Sequence, residues 1–335
     1  MQHAPPWGLA CERRDGYSEI VNPLTPFLER QHFVMLDGGL ATEMERKGAN
    51  LDDPLWSARM LIDSPEIIRL VHSDFLRAGA DIIATATYQA SFDGFEQAGL
   101  TRRQAERLMR LGVDLAVLAR ETFWSQADSR RERLRPLVAA SIGPYGASLH
   151  DGSEYHGNYP LDRQALMDFH RPRMEVLAVT DADLFAFETI PSLLEAEALL
   201  RLLEEFPGKT AWLSFVCRNG REVAHGEPFA ECAAMAGESD ALVAIGVNCI
   251  SPLLVSELLE CASGCRKPLA VYPNSGETWD GVKQCWSGEG TGTMPVADWY
   301  ECGARLIGSC CRTTCDDITR MRADLLCHLH GNAHS

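Results

Sequence analysis

The chain has 335 residues, 46% of them hydrophobic, which is enough apolar mass for a large core. A net charge of -16 with no basic stripe argues against a nucleic-acid partner. No run approaches the ~18 apolar residues that span a bilayer, and Glu12, Arg13, Arg14 and Asp15 interrupt the N-terminal stretch before a signal sequence can form, so a cytoplasmic protein without a membrane partner is expected.

Residues 1–30 are rich in proline and charge and show no clear period, so they read as an N-terminal extension or outer arm. From 31 to 330 the chain alternates short apolar, β-branched runs with amphipathic segments. The runs are 33–36, 81–85, 137–142, 183–188, 210–216, 242–247, 269–272 and 305–308, eight in all. Short and nearly continuous apolar runs are the pattern of parallel strands covered by helices. Helix-start signals lie between them. Ser64-Pro65-Glu66 puts an N-cap before a proline, with Gly79 as the stop, and Thr101 to Gln104 and Ser192 to Glu195 fit capping boxes. Ser251-Pro252 and Thr314 with Asp317 open two further helices. Strand-helix alternation repeated eight times predicts a single-domain (β/α)8 TIM barrel, followed by a short tail at 331–335. A doubly wound open sheet is the alternative, but no Gly-x-Gly-x-x-Gly follows an early strand.

In such a barrel the active site lies at the C-terminal ends of the strands. The loops there carry Asp37-Gly38-Gly39, Thr85 to Gln89, Gly143 to Gly146, Glu188 to Pro191, Asn248-Cys249, Pro273 to Gly276 and Cys310 to Thr313. The chain holds twelve cysteines, which in a reducing compartment read as free thiols, core fillers or metal ligands. Cys217, Cys232, Cys261 and Cys327 read as small core residues. Cys249 and Cys310 are 61 positions apart, so only a closed barrel brings Cys249 to the Cys310–Cys311 pair. Three thiolates around one ion leave a vacant position for chemistry, whereas a fourth protein ligand would make the site structural.

Asp37 and Glu188 stand at opposite sides of the proposed mouth. Such a pair can act as acid and base or hold an α-ammonium group; taken singly, each is equally well a turn or cap residue. Gly38 and Gly39 expose backbone N–H groups suited to a carboxylate. Trp56, Tyr88, Tyr145, Tyr155, Tyr272 and Trp279 lie near these loops, and one or two of them could hold a sulfonium or ammonium ion by cation–π attraction.

Ten stretches in order give the strongest signal. They are Leu36 to Glu43, Asp53 to Ser57, Ala78 to Asp81, Tyr88 to Ser91, Ala140 to Gly146, Asp151 to Tyr155, Phe187 to Ser192, Gly246 to Cys249, Tyr272 to Glu277 and Gly308 to Thr313. Together they resemble the homocysteine S-methyltransferase family, in particular its cobalamin-independent bacterial members that use S-methylmethionine. The resemblance implies a zinc-containing barrel that methylates L-homocysteine to methionine. It implies Zn2+ on Cys249, Cys310 and Cys311, the homocysteine amino group on Asp37 and Glu188, and its carboxylate near Thr85 and the Gly38 backbone. Thr87, Asn248 and Asn274, on the same loops, join the candidate substrate-binding residues. S-methylmethionine is the expected donor, with S-adenosylmethionine and betaine as alternatives.

The sequence departs from the family pattern twice. Ser309 stands where a second glycine is usual before Cys-Cys, so either it adopts a left-handed backbone or the turn does not need one. Val179 to Asp183 replaces an Ala-Gly-Ala-Asp pattern at the non-catalytic end, where it bears on stability. A zinc hydrolase on the same barrel is a rival reading, but it usually wants His and carboxylate ligands, and His here is scattered. A non-enzymatic metal or redox protein would leave the polar loop residues without a purpose.

Overall fold

The computed structural model describes residues 21–332 except 54, 132, 281–284 and 293, together with all side chains in that range but those of 278–280, 285 and 332. Ten strands are present among the described residues: β1 (Val34–Met35), β2 (Ile82–Ala84), β3 (Leu137–Ile142), β4 (Leu184–Ile190), β5 (Ala211–Phe215), β6 (Leu242–Asn248), β7 (Leu269–Tyr272), β8 (Thr278–Asp280), β9 (Cys285–Ser287) and β10 (Ala304–Ile307). All but β8 and β9 form one eight-stranded sheet in the order β1-β10-β7-β6-β5-β4-β3-β2, and every pairing in it is parallel. Helices alternate with these strands, as a (β/α)8 barrel requires. All eight expected strands are found within two residues of their predicted ends. The antiparallel β8–β9 hairpin, inserted after β7, was not foreseen. Among the described residues no helix is long and apolar enough to cross a membrane.

The seam between β1 and β2 closes the ring by mixed means. Asp81 N–H donates to Met35 O at 2.7 Å. Two carboxylates complete it: Asp81 accepts from Met35 N–H at 2.9 Å and Asp37 accepts from Ala84 N–H at 2.8 Å. A carboxylate held by a backbone N–H does the work of a ladder bond where the strands splay.

Alternation sorts each strand into an outer face under the helices and an inner face along the barrel axis. The inner set is its own cluster, including Val34, Ile82, Leu184, Trp212, Ala270 and Leu306. Leu24 and Phe27 belong to it as well, so the helix Thr25–Gln31 plugs the bottom of the barrel. The sequence reading of an outer arm therefore stops short of this helix; its apolar residues are too few to show a period, yet both are at most 2% exposed. Toward the top the inner face turns polar, with Ser141, Glu188, Ser214 and Tyr272 following Ala139, Ala186, Trp212 and Ala270 two positions earlier.

The helix starts match the sequence signals unevenly. Thr101 and Gln104 form the full reciprocal box for Arg102–Ser125. Ser64 makes no side-chain cap bond, and Pro65 with Gly79 at φ 115° defines Pro65–Ala78 instead. Ser192 caps Leu193–Leu203, but Glu195 does not reach back; its carboxylate is engaged elsewhere. Val179 is exposed and Thr180 bonds Leu177 O at 2.6 Å without a positive φ, so the turn before β4 functions without the usual glycine.

Candidate metal centre and active site

β6 and β10 end at the same rim, and that brings the distant thiols together. Cys249 N–H bonds Tyr272 O at 3.2 Å, and Cys310 N–H bonds Pro273 O at 2.8 Å, so both segments dock on the β7 loop. The sulfurs of Cys249, Cys310 and Cys311 all lie within 4.8 Å of one another, with Cys249–Cys311 at 3.8 Å and Cys310–Cys311 at 4.0 Å. Thiolates bound to one tetrahedral Zn2+ at about 2.3 Å stand about 3.8 Å apart, so the three residues fit such an ion. They form the single group of metal-ligating type found among the described residues, and it contains no histidine or carboxylate. Hydrogen bonds from Cys310 and Cys311 draw the Cys249 thiol well below its usual range, while donating those bonds, with burial and the Cys249 charge behind them, holds Cys310 and Cys311 up.

The local backbone is built for this convergence. Cys249 has φ 53° and Arg312 φ 63°, left-handed values that a non-glycine residue adopts only when its surroundings insist. Ser309 is not among the positive-φ residues, so the turn does not require a glycine there. Its hydroxyl instead accepts from Thr313 Oγ1 at 2.8 Å in a buried setting. Gly39 is needed for space: a Cβ there would lie 2.8 Å from Cys310 O and 2.9 Å from Thr313 O. The β1 loop thus presses directly on the cysteine turn.

Two carboxylates face this centre. Asp37 is 9% exposed and Glu188 is half-buried. Burial raises the Asp37 carboxyl well above its usual range, its bond from Ala84 N–H opposes this, and Glu188 raises it further. Burial likewise pushes Glu188 up to about 7, against hydrogen bonds from Ser141 and Tyr272 that favour the charged form. No ion pair among the described residues includes either acid. Tyr272 is the hub of this layer: its hydroxyl takes the Trp212 indole N–H at 2.9 Å and shares a short bond with Ser214.

The remaining predicted site residues are present at the rim but differ in how free they are. Thr85 Oγ1 and Thr87 Oγ1 are 2.7 Å apart; Thr87 donates to Ser141 O at 2.7 Å and Thr85 accepts from Ser141 N–H at 3.0 Å. Both hydroxyl hydrogens are therefore engaged in joining β2 to β3. Asn248 grips Thr189 twice, accepting from its N–H at 2.7 Å and donating to its Oγ1 at 2.8 Å, and so holds Thr189 at φ 60°. Asn274 directs its amide toward Cys249, favouring the thiolate, while its buried Oδ1 has no partner among the described residues. The Gly38 N–H has no hydrogen-bond acceptor among the described residues. Tyr155 Oη lies 3.5 Å from Cys249 Sγ, and Trp56 meets Tyr88 edge-on at 6.3 Å. Tyr145 packs instead on Tyr159 and Phe169, away from the thiols, and the Trp279 side chain lies outside the described residues.

Sequence reasoning overlooked Ser141 and Glu154. Ser141 is a polar residue at an inward position of an apolar strand, a signal that strand alternation carries. Glu154 sits between Ser153 and Tyr155 in a single turn of the loop after β3, where burial pushes its carboxyl up to about 7. Of the cysteines set down as core fillers, Cys217 and Cys232 are buried, Cys261 is half-buried and Cys327 is exposed. Cys327 lies two positions beyond the buried Leu325 on Cys315–Asn332, about 200° around the helix, which turns it outward.

Comparison with known proteins agrees with this geometry. A profile of the family described as "Homocysteine S-methyltransferase" matches residues 34–325. The chain is 46% identical over 310 residues to homocysteine S-methyltransferase YbgG of Bacillus subtilis, covering 90% of this chain and 98% of that one. It is 46% identical over 297 residues to a selenocysteine Se-methyltransferase of Brassica oleracea, covering 84% and 86%. The metallated form of the homocysteine methyltransferase MmuM from Escherichia coli superposes with a TM-score of 0.81 at 42% identity, covering 90% of this chain and all of that one. A barrel whose rim gathers three thiols beside two acids, matched over nearly its whole length by these proteins, is an enzyme of the homocysteine S-methyltransferase family.

Proposed function

We propose that the enzyme transfers a methyl group from a sulfonium donor, S-methylmethionine first among them, to the sulfur of L-homocysteine, giving methionine. The observation that carries the reading is one three-thiol cluster beside two acids that no cation among the described residues neutralises. Cys249, Cys310 and Cys311 would hold Zn2+, a choice supported by their soft, all-sulfur donor set. A zinc ion held by these three residues would favour the thiolate form of the substrate sulfur at neutral pH.

The chain's own residues supply binding and orientation. Glu188 takes the homocysteine ammonium, with Ser141 and Tyr272 aiming its carboxylate. Asp37 adds negative charge from the opposite rim, though one of its oxygens is committed to Ala84 N–H. The Gly38 N–H and the Asn274 Oδ1, a donor and an acceptor unengaged among the described residues, are available to the amino-acid end of the substrate. Thr85, Thr87 and Asn248 act by fixing the strand ends that present these groups. Methyl transfer from a sulfonium releases a neutral thioether, so no general acid is required, and orientation supplies much of the acceleration. A zinc hydrolase usually takes His and carboxylate ligands around its bound water, whereas this cluster is all sulfur.

Replacing Cys310 with Ala tests the reading. Metal content and methionine formation from homocysteine should both fall by at least tenfold. Full turnover in a variant that has lost its metal would sink it. Supplying S-methylmethionine, S-adenosylmethionine and betaine in parallel, with and without a chelator, ranks the donors.

A further inference from the structure

One acid at the rim has no part in the scheme above. Glu154 belongs to the turn Ser153–Tyr155, which is pressed onto the β3 loop so closely that a Cβ at Gly146 would lie 2.5 Å from Glu154 N. Its Oε2 is shut off from solvent and has no hydrogen-bond partner among the described residues. No ion pair among the described residues includes it. A buried carboxylate oxygen that meets no donor among the described residues is costly, and such an atom needs an explanation.

Its surroundings supply one. The charge of Glu154 is felt by Tyr88 and Tyr155, and Glu154 in turn feels Cys249. Tyr155 Oη is 3.5 Å from Cys249 Sγ, and Tyr88 lies edge-on to Trp56, itself held at φ 45°. Glu154, Tyr88 and Tyr155 therefore lie on the side of the cysteine cluster nearest Cys249, and Trp56 packs against Tyr88. The acids assigned to the homocysteine ammonium reach the cluster from β1 and β4. The Glu154 loop leaves β3 and approaches separately.

The geometry points to Glu154 as the residue that recognises the cationic sulfur of the methyl donor, with Tyr88 and Tyr155 presenting ring faces to the same centre. This rests on the methyl-transfer reading given above. Charge complementarity favours a sulfonium over a neutral thioether, and the aromatic faces add cation–π attraction. During transfer, a lone pair of the homocysteine sulfur forms the new S–CH3 bond as the donor C–S bond breaks. The pair of the broken bond stays on the donor sulfur, which becomes neutral. Glu154 then has no cation to hold, so the demethylated product is released while the next sulfonium is preferred. Glu154 is a binding and specificity residue in this scheme, not an acid or base.

Glu154→Gln tests this, because the amide keeps the shape and removes the charge. The KM for S-methylmethionine should rise at least tenfold, with the homocysteine KM and the metal content within twofold of the parent. Trimethylsulfonium, which carries no ammonium, should lose its inhibition by the same factor. Loss confined to S-methylmethionine would assign Glu154 to the donor's ammonium and overturn the proposal, as would an unchanged donor KM. Thermal unfolding of the same variant separates folding from binding: the midpoint should hold or rise, and a fall accompanied by equal losses for both substrates would mark a structural role. Glu154→Asp, which keeps the charge, should restore part of the donor affinity. If the parent enzyme makes no methionine from homocysteine with any sulfonium donor, the methyl-transfer reading itself fails, an outcome distinct from any of these.

Discussion

Glu188 shows how burial and hydrogen bonds can tune one side chain without an opposite charge beside it. Burial alone would leave it protonated, and its bonds from Ser141 and Tyr272 pull it back to about 7, so it stands near the point of ionising in the substrate-free protein. An arriving ammonium completes the ionisation. Homocysteine binding is then coupled to release of this proton below pH 7, so the homocysteine KM should fall as pH rises through 7, beyond the change due to the thiol itself. In Glu188→Gln that part of the pH dependence disappears. The variant also loses a charged hydrogen bond of about 1.5–3 kcal/mol, which corresponds to a homocysteine KM raised roughly tenfold to a hundredfold, with kcat changed only a few-fold. Steady-state kinetics at saturating donor, at pH 6 and pH 8, check both statements. A turnover defect with an unchanged homocysteine KM would remove Glu188 from the ammonium site.

The strands were legible in the sequence because each is a short, almost unbroken apolar run, a pattern that survives without knowledge of its neighbours. What binds one element to another was not legible, since it depends on pairs far apart in the chain. Asp81 at the foot of β2 meets Arg322 at 2.9 Å across 241 positions and Arg133 at 3.2 Å. Asp183 at the foot of β4 meets Arg120 at 2.5 Å and accepts from Val138 N–H at 2.7 Å. Glu195 looked like a capping residue from its spacing. It is instead wholly buried, taking Tyr145 N–H at 2.6 Å and His170 Nε2–H at 2.8 Å, and so it fixes the β3 loop that supports Glu154. The cysteine cluster was readable only once a barrel was assumed, because closure brings the ends of β6 and β10 to one rim. At this scale Asp81→Asn is the informative change. It leaves Arg133 and Arg322 facing each other with no anion between them, at a cost of about 3 kcal/mol, and weakens the β1–β2 seam through Met35 N–H. Urea unfolding should show that loss, while the metal content of the folded fraction stays at the parent value.

Acid tolerance belongs to the molecule as a whole, and two buried histidines bear on it most directly. His72, on Pro65–Ala78, is wholly buried with neither ring nitrogen bonded among the described residues, and burial lowers its pKa to about 4. His170 is also lowered to about 4, by burial first and by Arg173 second, against the pull of Glu195. Arg173 donates to His170 Nδ1 at 2.5 Å, which leaves the Nε2–H to donate to Glu195, so this ring is held neutral as well. Unfolding returns each ring to water, where its pKa is about 6.5. Between these values the unfolded chain binds more protons than the native one, so acid favours unfolding. The contribution of each ring is complete above pH 6.5 and is lost progressively as pH falls toward 4. A shift of this size corresponds to about 3 kcal/mol per histidine at the acid limit. His72→Leu isolates one of the two. At pH 8 it replaces an unsatisfied polar ring by an apolar side chain and should match or exceed the parent in stability. Its advantage should widen steadily as the pH is lowered from 6.5 to 4.5. Chemical denaturation of parent and variant across that range measures the widening, and a constant offset would mean that His72 does not set the acid limit of the fold.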